Sequence, residues 1–206
     1  MGETFVTRGF KGRPRSAGAP KDRIPPGQHQ VTDFPVLSAG PTPKIDLAKW
    51  ELTITGLVRA PAKWSWQDFL ALPAEDFTKD ISCVTTLTKL DTKWRGVSVD
   101  VLLEHVELDP KARFVIAESH GGYTTNLPLT DVVNGQAFVA YEYDGTPLPS
   151  DHGGPARLVV PHLYFWKSAK WVRGLRLVAD DTPGFWESYG YHIRGDPWKE
   201  ERYSGD

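Results

Sequence analysis

The sequence predicts a mixed α+β domain: a β-sheet core with short helices and long loops. Three observations lead there. Short runs rich in Val, Ile, Leu and Phe recur between Gly, Pro, Asn and Asp, which is how strands are punctuated. Stretches with helical period are few and brief. Gly and Pro together make up about 17% of the chain, enough for long loops yet below the roughly 25–30% of low-complexity disorder.

Taken in order, residues 1–23 hold six Lys and Arg against Glu3 and Asp22 and read as a basic, poorly ordered N-terminal arm. Residues 24–206 follow as a single domain, since 206 residues is an ordinary domain size. Residues 24–44 are rich in Pro and Gly with apolar residues dispersed among them, as in an extended segment wrapped over a domain. Residues 50–55 alternate apolar and polar as a half-buried strand does, and Gly56 ends them. Ser65-Trp66-Gln67-Asp68 fits a capping box, with Phe69, Leu70 and Leu72 following before Pro73. Phe77, Ile81 and Cys83 fall on one face of a strand whose other face carries Thr78, Asp80 and Ser82. Residues 98–106 read as a short amphipathic helix. Residues 113–117, 137–143, 156–160 and 172–178 read as strands. The remainder, from Asp180, is loop-like but carries Phe185, Trp186, Tyr189, Tyr191 and Trp198. That much aromatic surface predicts a segment packed back onto the domain, over a site.

Composition narrows the function. The chain is 40% hydrophobic with eight tryptophans, so a sizeable core is expected. A net charge of −2 gives no whole-molecule reason to bind nucleic acid. No run of 18 apolar residues occurs to span a membrane, and no export signal is visible in the first thirty residues. A cytoplasmic location is therefore expected. The single cysteine, Cys83, excludes an intrachain disulfide, a Cys-based zinc cluster and a protein-ligated iron–sulfur centre. The six histidines form no HxxxH pair. GxGxxG, GxxxxGK[ST] and CxxCH are absent as well.

Three clusters remain that could carry chemistry. Cys83 stands where a strand gives way to small hydroxyl residues, Thr85, Thr86 and Thr88. Such a cysteine is either an inert buried apolar group or a thiolate serving as metal ligand or nucleophile. Asp151-His152-Gly153-Gly154-Pro155-Ala156-Arg157 places a His in a Gly-rich loop and an Arg five residues later on a strand. The two could converge on an anion, or form an ordinary turn feeding the core. Lys167-Ser168-Ala169-Lys170 brackets a serine with two lysines, either a phosphate cradle or a solvated turn.

Together, SCVTTLTKLDTKWRGV and YEYDGTPLPSDHGGPARLVVPHLYFWKSAKWVRGLRLV resemble the molybdopterin-binding domain of the sulfite oxidase family, in particular its small stand-alone bacterial members. The resemblance covers roughly residues 30–200. It implies that fold, and a molybdenum cofactor with one pterin dithiolene per metal. It further implies that Cys83 gives its thiolate to molybdenum, a coherent role for a soft ligand. His152, Arg157, Ser168 and Lys170 would hold the pterin and its phosphate, with Ser119 a further pterin contact. Tyr191, in Trp186-Glu187-Ser188-Tyr189-Gly190-Tyr191, matches the segment that supplies an active-site tyrosine.

Departures from the family limit what carries over. Its substrate-facing arginines are replaced by Leu37, in the N-terminal segment, and by Thr88, after the cysteine. Leu87 stands where relatives often carry an aromatic. Two lost cations at roughly 1.5–3 kcal/mol each argue against sulfite as substrate. The expected activity is oxygen-atom transfer to or from another small molecule. Without a haem or flavin motif, electrons would pass to an external redox protein or a quinone-linked partner. The family's dimerisation domain is absent, so a monomer is expected. Two rival readings stand: a metal-free binding module that keeps the fold, and a Cys83-dependent hydrolase using His120 or His152 as base.

Overall fold

A computed structural model describes residues 22–206; most of the basic N-terminal arm therefore lies outside the described residues. Its last residue, Arg23, is described and bridges Asp80 and Asp91, each at 2.6 Å.

Two sheets carry the fold, as the alternating runs predict. The strands of the first are β1 (His29–Val31), β4 (Glu75–Ser82), β5 (Leu87–Ser98), β8 (Phe138–Tyr143), β9 (Thr146–Pro147) and β10 (Arg157–Val159). They run β1-β5-β8-β10, with β4 on the other edge of β5 and β9 on β8. The second comprises β2 (Glu51–Gly56), β3 (Ala62–Ser65), β6 (Phe114–Ser119), β7 (Thr124–Pro128) and β11 (Val172–Val178), in the order β3-β2-β11-β6-β7. Pairing is antiparallel except where β1 meets β5 and β2 meets β11. The helices are short: α1 (Trp66–Leu70), α2 (Val99–Leu103) and α3 (Phe185–Ser188). Ser65 caps α1 in the expected box: its hydroxyl accepts from the Asp68 N–H, and Asp68 accepts from the Ser65 N–H.

The two faces of the first sheet do different work. In register, Val97, Val139 and Leu158 form one row and enter the main core with Leu52, Ile54, Val115 and Leu175 from the second sheet. The rows on either side, Phe138 with Val159 and Ala140 with Arg157, point to the opposite face. There Ile81, Trp94, Phe138, Ala140 and Val159 make a second apolar cluster, with Phe34 and Phe165 packed against it. A period of two thus sends Leu158 into the core and turns its neighbour Arg157 toward the site.

Five strands escaped the sequence reading: β1, β3, β7, β9 and β5, the longest among the described residues. Thr88, read as part of a loop, lies within β5. The segment after Asp180 does fold back. Glu187 of α3 accepts from Thr125 at 2.9 Å and from Trp166 Nε1 at 2.9 Å, and it pairs with Lys167 at 2.6 Å. The chain's two described ends also clasp: the Tyr164 hydroxyl binds both Gln28 and Arg202, and Arg202 donates to the Pro26 carbonyl.

Candidate active site

A cavity of about 600 Å³ opens over the second face of the first sheet. Its walls come from residues 31–43, the turn after β4, the β6–β7 turn, the loops around β10 and the 185–191 segment. Cys83, His152, Arg157, Ser168, Lys170 and Tyr191, far apart in sequence, all line it.

Cys83 follows directly on β4. Its N–H donates to the Leu87 carbonyl at 2.7 Å and its carbonyl accepts from Thr86 at 3.1 Å, which closes a tight turn into β5. Thr86 takes the left-handed conformation, φ +71°, a strained choice for a β-branched residue. The Thr85 hydroxyl donates to Cys83 Sγ at 3.0 Å. Among the described residues no histidine hydrogen-bonds to that sulfur, so the base a cysteine hydrolase requires is missing from its place.

Arg157 is the unusual group. It is 1% exposed. Its two terminal nitrogens donate to the carbonyls of His152 and Ser168, each at 2.8 Å, and its guanidinium lies 4.1 Å from the centre of the Phe165 ring. Nε has no partner, and among the described residues no carboxylate pairs with it. Burial lowers its pKa to about 9. A buried cation without a counter-ion is costly, and this one faces a cavity. The arrangement fits an anionic ligand, for which a planar guanidinium is the natural receptor.

The groups around it point the same way. Lys170 donates to the Asp151 carbonyl at 2.6 Å; burial, then the nearby Arg157 charge, lowers its pKa to about 8. His152 stacks on Phe34 at 4.1 Å, and burial holds it below the usual histidine range. Gly153, at φ +108°, lets the loop pass between Lys170 and Arg157: a Cβ there would lie 3.0 Å from Lys170 and 3.1 Å from Arg157. The Ser168 hydroxyl accepts from the Val160 N–H at 2.9 Å, which leaves its own proton to donate.

Tyr191 reaches the cavity from the returning C-terminal segment, packed against Trp166 and Trp186. Burial first, then Tyr203 and Cys83, raises its phenol pKa, so it stays protonated at neutral pH.

Three expectations need revision. Lys167 is no part of an anion cradle: it is fully buried, paired with Glu187, and bonded to Asn126 and the Ile193 carbonyl. Thr88 does not face the cavity. It is buried on the other side of β5, hydrogen-bonded to Ser82 at 2.9 Å and to Gln28 at 3.4 Å, so its exchange for an arginine is not a change of cavity wall. Leu37 does line the wall. Ser119 ends β6 without lining the cavity, its hydroxyl buried and unpartnered.

The neighbour of Ser119, His120, was named in the sequence only as a possible base for Cys83 and not as a group facing a bound cofactor. It lines the cavity with Nε2 buried and unpartnered, and burial lowers its pKa. The Gly-Gly turn after it, residues 121–122, was the available signal. Lys89 also lines the cavity; its place two residues from Leu87 on one face of a strand would have revealed it, had β5 been recognised. Among the described residues no three His, Cys, Asp or Glu side chains are placed to hold a metal. Cys83 could thus contribute one bond to a metal whose other ligands come from a bound cofactor.

Comparison with known proteins agrees with this chemistry. The family described as "Oxidoreductase molybdopterin binding domain" matches residues 39–186. The chain is 45% identical to the oxidoreductase YuiH of Bacillus subtilis over 89% of its own length and 93% of that protein's. It is 30% identical to sulfite oxidase of Arabidopsis thaliana, over 75% of this chain and 48% of the relative. It is 29% identical to the protein-methionine-sulfoxide reductase catalytic subunit MsrP of Gluconobacter oxydans, over 72% and 54%. Among solved structures, the sulfane dehydrogenase SoxCD of Paracoccus pantotrophus superposes with a TM-score of 0.61 at 25% identity, over 68% of this chain and 40% of that one. The chain thus spans nearly all of YuiH but about half or less of the other three.

Proposed function

The chain belongs to the oxidoreductase molybdopterin-binding domain family, and from that premise we propose that it transfers an oxygen atom to or from a small substrate other than sulfite. One observation carries the reading: a lone thiol and an uncompensated buried guanidinium face the same cavity. When bound, a molybdenum–pterin dithiolene group supplies two-electron oxygen-atom exchange, chemistry that no side chain provides.

The protein's own residues bind, orient and exclude water. Cys83 would give its thiolate to the metal, with the Thr85 hydroxyl donating a hydrogen bond to the sulfur. Arg157 and Lys170 would take the cofactor's anionic group, with His152 and the Ser168 hydroxyl beside them, and with His120 as a further polar contact. Tyr191, protonated at neutral pH, can donate a hydrogen bond from the opposite wall. Arg157 and Lys170 supply positive charge in a poorly solvated setting, where it acts most strongly on an anion.

An external electron-transfer protein, or a quinone-linked partner, completes the proposal. The relative named a catalytic subunit supports it. A monomer in the cytoplasm is the remaining part. Among the described residues no helix is long and apolar enough to cross a membrane.

Metal analysis of protein from a molybdenum-replete host tests the reading. Near-stoichiometric molybdenum that disappears in Cys83→Ala is the expected outcome. Metal-free protein from a host that loads other molybdoenzymes would instead favour a binding module.

A further inference from the structure

Positive charge enters the cavity from two separate places, and the cofactor accounts for one of them. Arg157 pairs in register with Ala140 of β8, which pairs with Gly96 of β5. Lys89 lies seven residues back along β5, where that strand pairs with β1 and β4 instead. At about 3.3 Å per residue the two rows are at most on the order of 20 Å apart along the strand, and less where it bends at Asp91. Arg157, Lys170 and His152 form one end of the cavity; Lys89 stands at the other.

Cys83 belongs to the Lys89 end. Its N–H binds Leu87, two residues before Lys89 and on the same face of β5. Leu87 and Lys89 both line the cavity, while Thr88 between them turns inward. Val31, Pro35, Leu37 and Val84 make much of the remaining wall here apolar, with Asp33 and Thr85 as polar members. Lys89 donates to the Thr32 carbonyl, and among the described residues no carboxylate pairs with it. A half-exposed ammonium that no carboxylate bonds among the described residues, beside the apolar residues on the Cys83 side, has the form of a receptor for one negative charge.

We propose that Lys89 selects substrates with an apolar body and a single anionic group remote from the reacting atom, such as a carboxylate. The proposal rests on the oxygen-transfer reading for the reacting end, and it gives that reading a substrate class. Leu37 and Leu87 suit the apolar body, whereas a compact dianion would leave them uncovered and meet a single cation at this end. The alternative role for Lys89, holding residues 31–43 in place through Thr32, would affect every ligand alike.

The test uses a matched pair of probes on cofactor-loaded protein: 4-(methylsulfinyl)benzoate and methyl phenyl sulfoxide. Binding is read from quenching of cavity tryptophans such as Trp166 and Trp186. Turnover is read with a reduced viologen as electron donor, the sulfoxide taking two electrons and two protons to give the thioether and water. The wild-type protein is expected to bind the benzoate about tenfold more tightly than the neutral probe, the scale of one charge-assisted contact. Added salt should erode that preference. Lys89→Met should abolish it without changing affinity for the neutral probe, and Lys89→Arg should restore it.

Equal affinity for both probes in the wild type, or an unchanged preference in Lys89→Met, would overturn the proposal. A parallel loss for both probes would assign Lys89 to holding the wall, and so overturn it too. If neither sulfoxide is turned over, oxygen transfer to this class fails while the binding comparison still decides on Lys89. Should Lys89→Met not fold, Lys89→Gln serves in its place.

Discussion

At Arg157, folding and function pull in opposite directions. The residue gives up hydration for two carbonyl contacts and an aromatic face, with no anion among the described residues to balance its charge. Replacing it with Met is therefore expected to leave the urea midpoint of cofactor-free protein unchanged or raised. The same change should cut retained molybdenum at least about tenfold, as loss of a charge-assisted contact implies; denaturation and metal analysis check the two halves. Lys170 gives a pH prediction. Its folded pKa is about 8, below the ordinary 10.5. Between those values the unfolded chain holds a proton that the folded chain has released, so stability rises with pH across that window. Urea midpoints at pH 7.5 and 9.5 should show a gain in cofactor-free wild type that is smaller in Lys170→Met. Residues of this kind were legible in sequence because their spacing carried the signal: Cys83 at a strand end, His152 and Arg157 around a Gly-rich loop. Lys167 was misread because charge alone does not show which way a side chain points. The 3-10 turn at Phe165–Lys167 turns Lys167 into the interior and leaves Lys170 at the cavity.

Among the elements, β5 shows why part of the fold stayed hidden. Its apolar residues Leu87, Leu90, Trp94 and Val97 are spaced three or four apart, the interval of a helix and not of a strand. Two irregularities make that spacing compatible with a sheet: Asp91 adopts φ +53°, and the pairing with β8 shifts between Arg95 and Gly96. Each changes which face the next side chain meets, so no period of two survives in the sequence. The strand β2 and the capped α1 carry no such breaks and were legible, and in β11 the one shift, between Val172 and Gly174, falls at its start. Gly96 is where the sheet tolerates nothing larger: a Cβ there would come within 2.3 Å of the Val139 carbonyl. Gly96→Ala is expected to cost about 1–3 kcal/mol, measured by denaturant titration. The α3 segment depends on the Lys167–Glu187 pair, whose side chains are 0% and 1% exposed. Lys167→Met would strand the Glu187 carboxylate, and removing one partner of a buried pair costs about 3–5 kcal/mol. Adding Glu187→Leu to that variant should recover part of the loss.

For the molecule as a whole, the cavity is a void between elements that meet around it, and a ligand filling it should stabilise all of them together. At a hundredfold excess over the dissociation constant, binding contributes about 2.7 kcal/mol, equivalent to about 5–10 °C in melting temperature for a chain of this size. Calorimetry of loaded and cofactor-free preparations measures that difference; Cys83→Ala should melt with the cofactor-free protein. The clasp between the described ends has a consequence in time. Residues 31–43 leave the ribosome well before residues 185–191, yet both are walls of the same cavity. A nascent chain halted before Phe185 has its anion-binding loops but lacks Trp186 and Tyr191, so the finished pocket first exists on a polypeptide synthesised at least as far as Tyr191. Loading of the cofactor is then expected only after the 185–203 segment has been made and has docked.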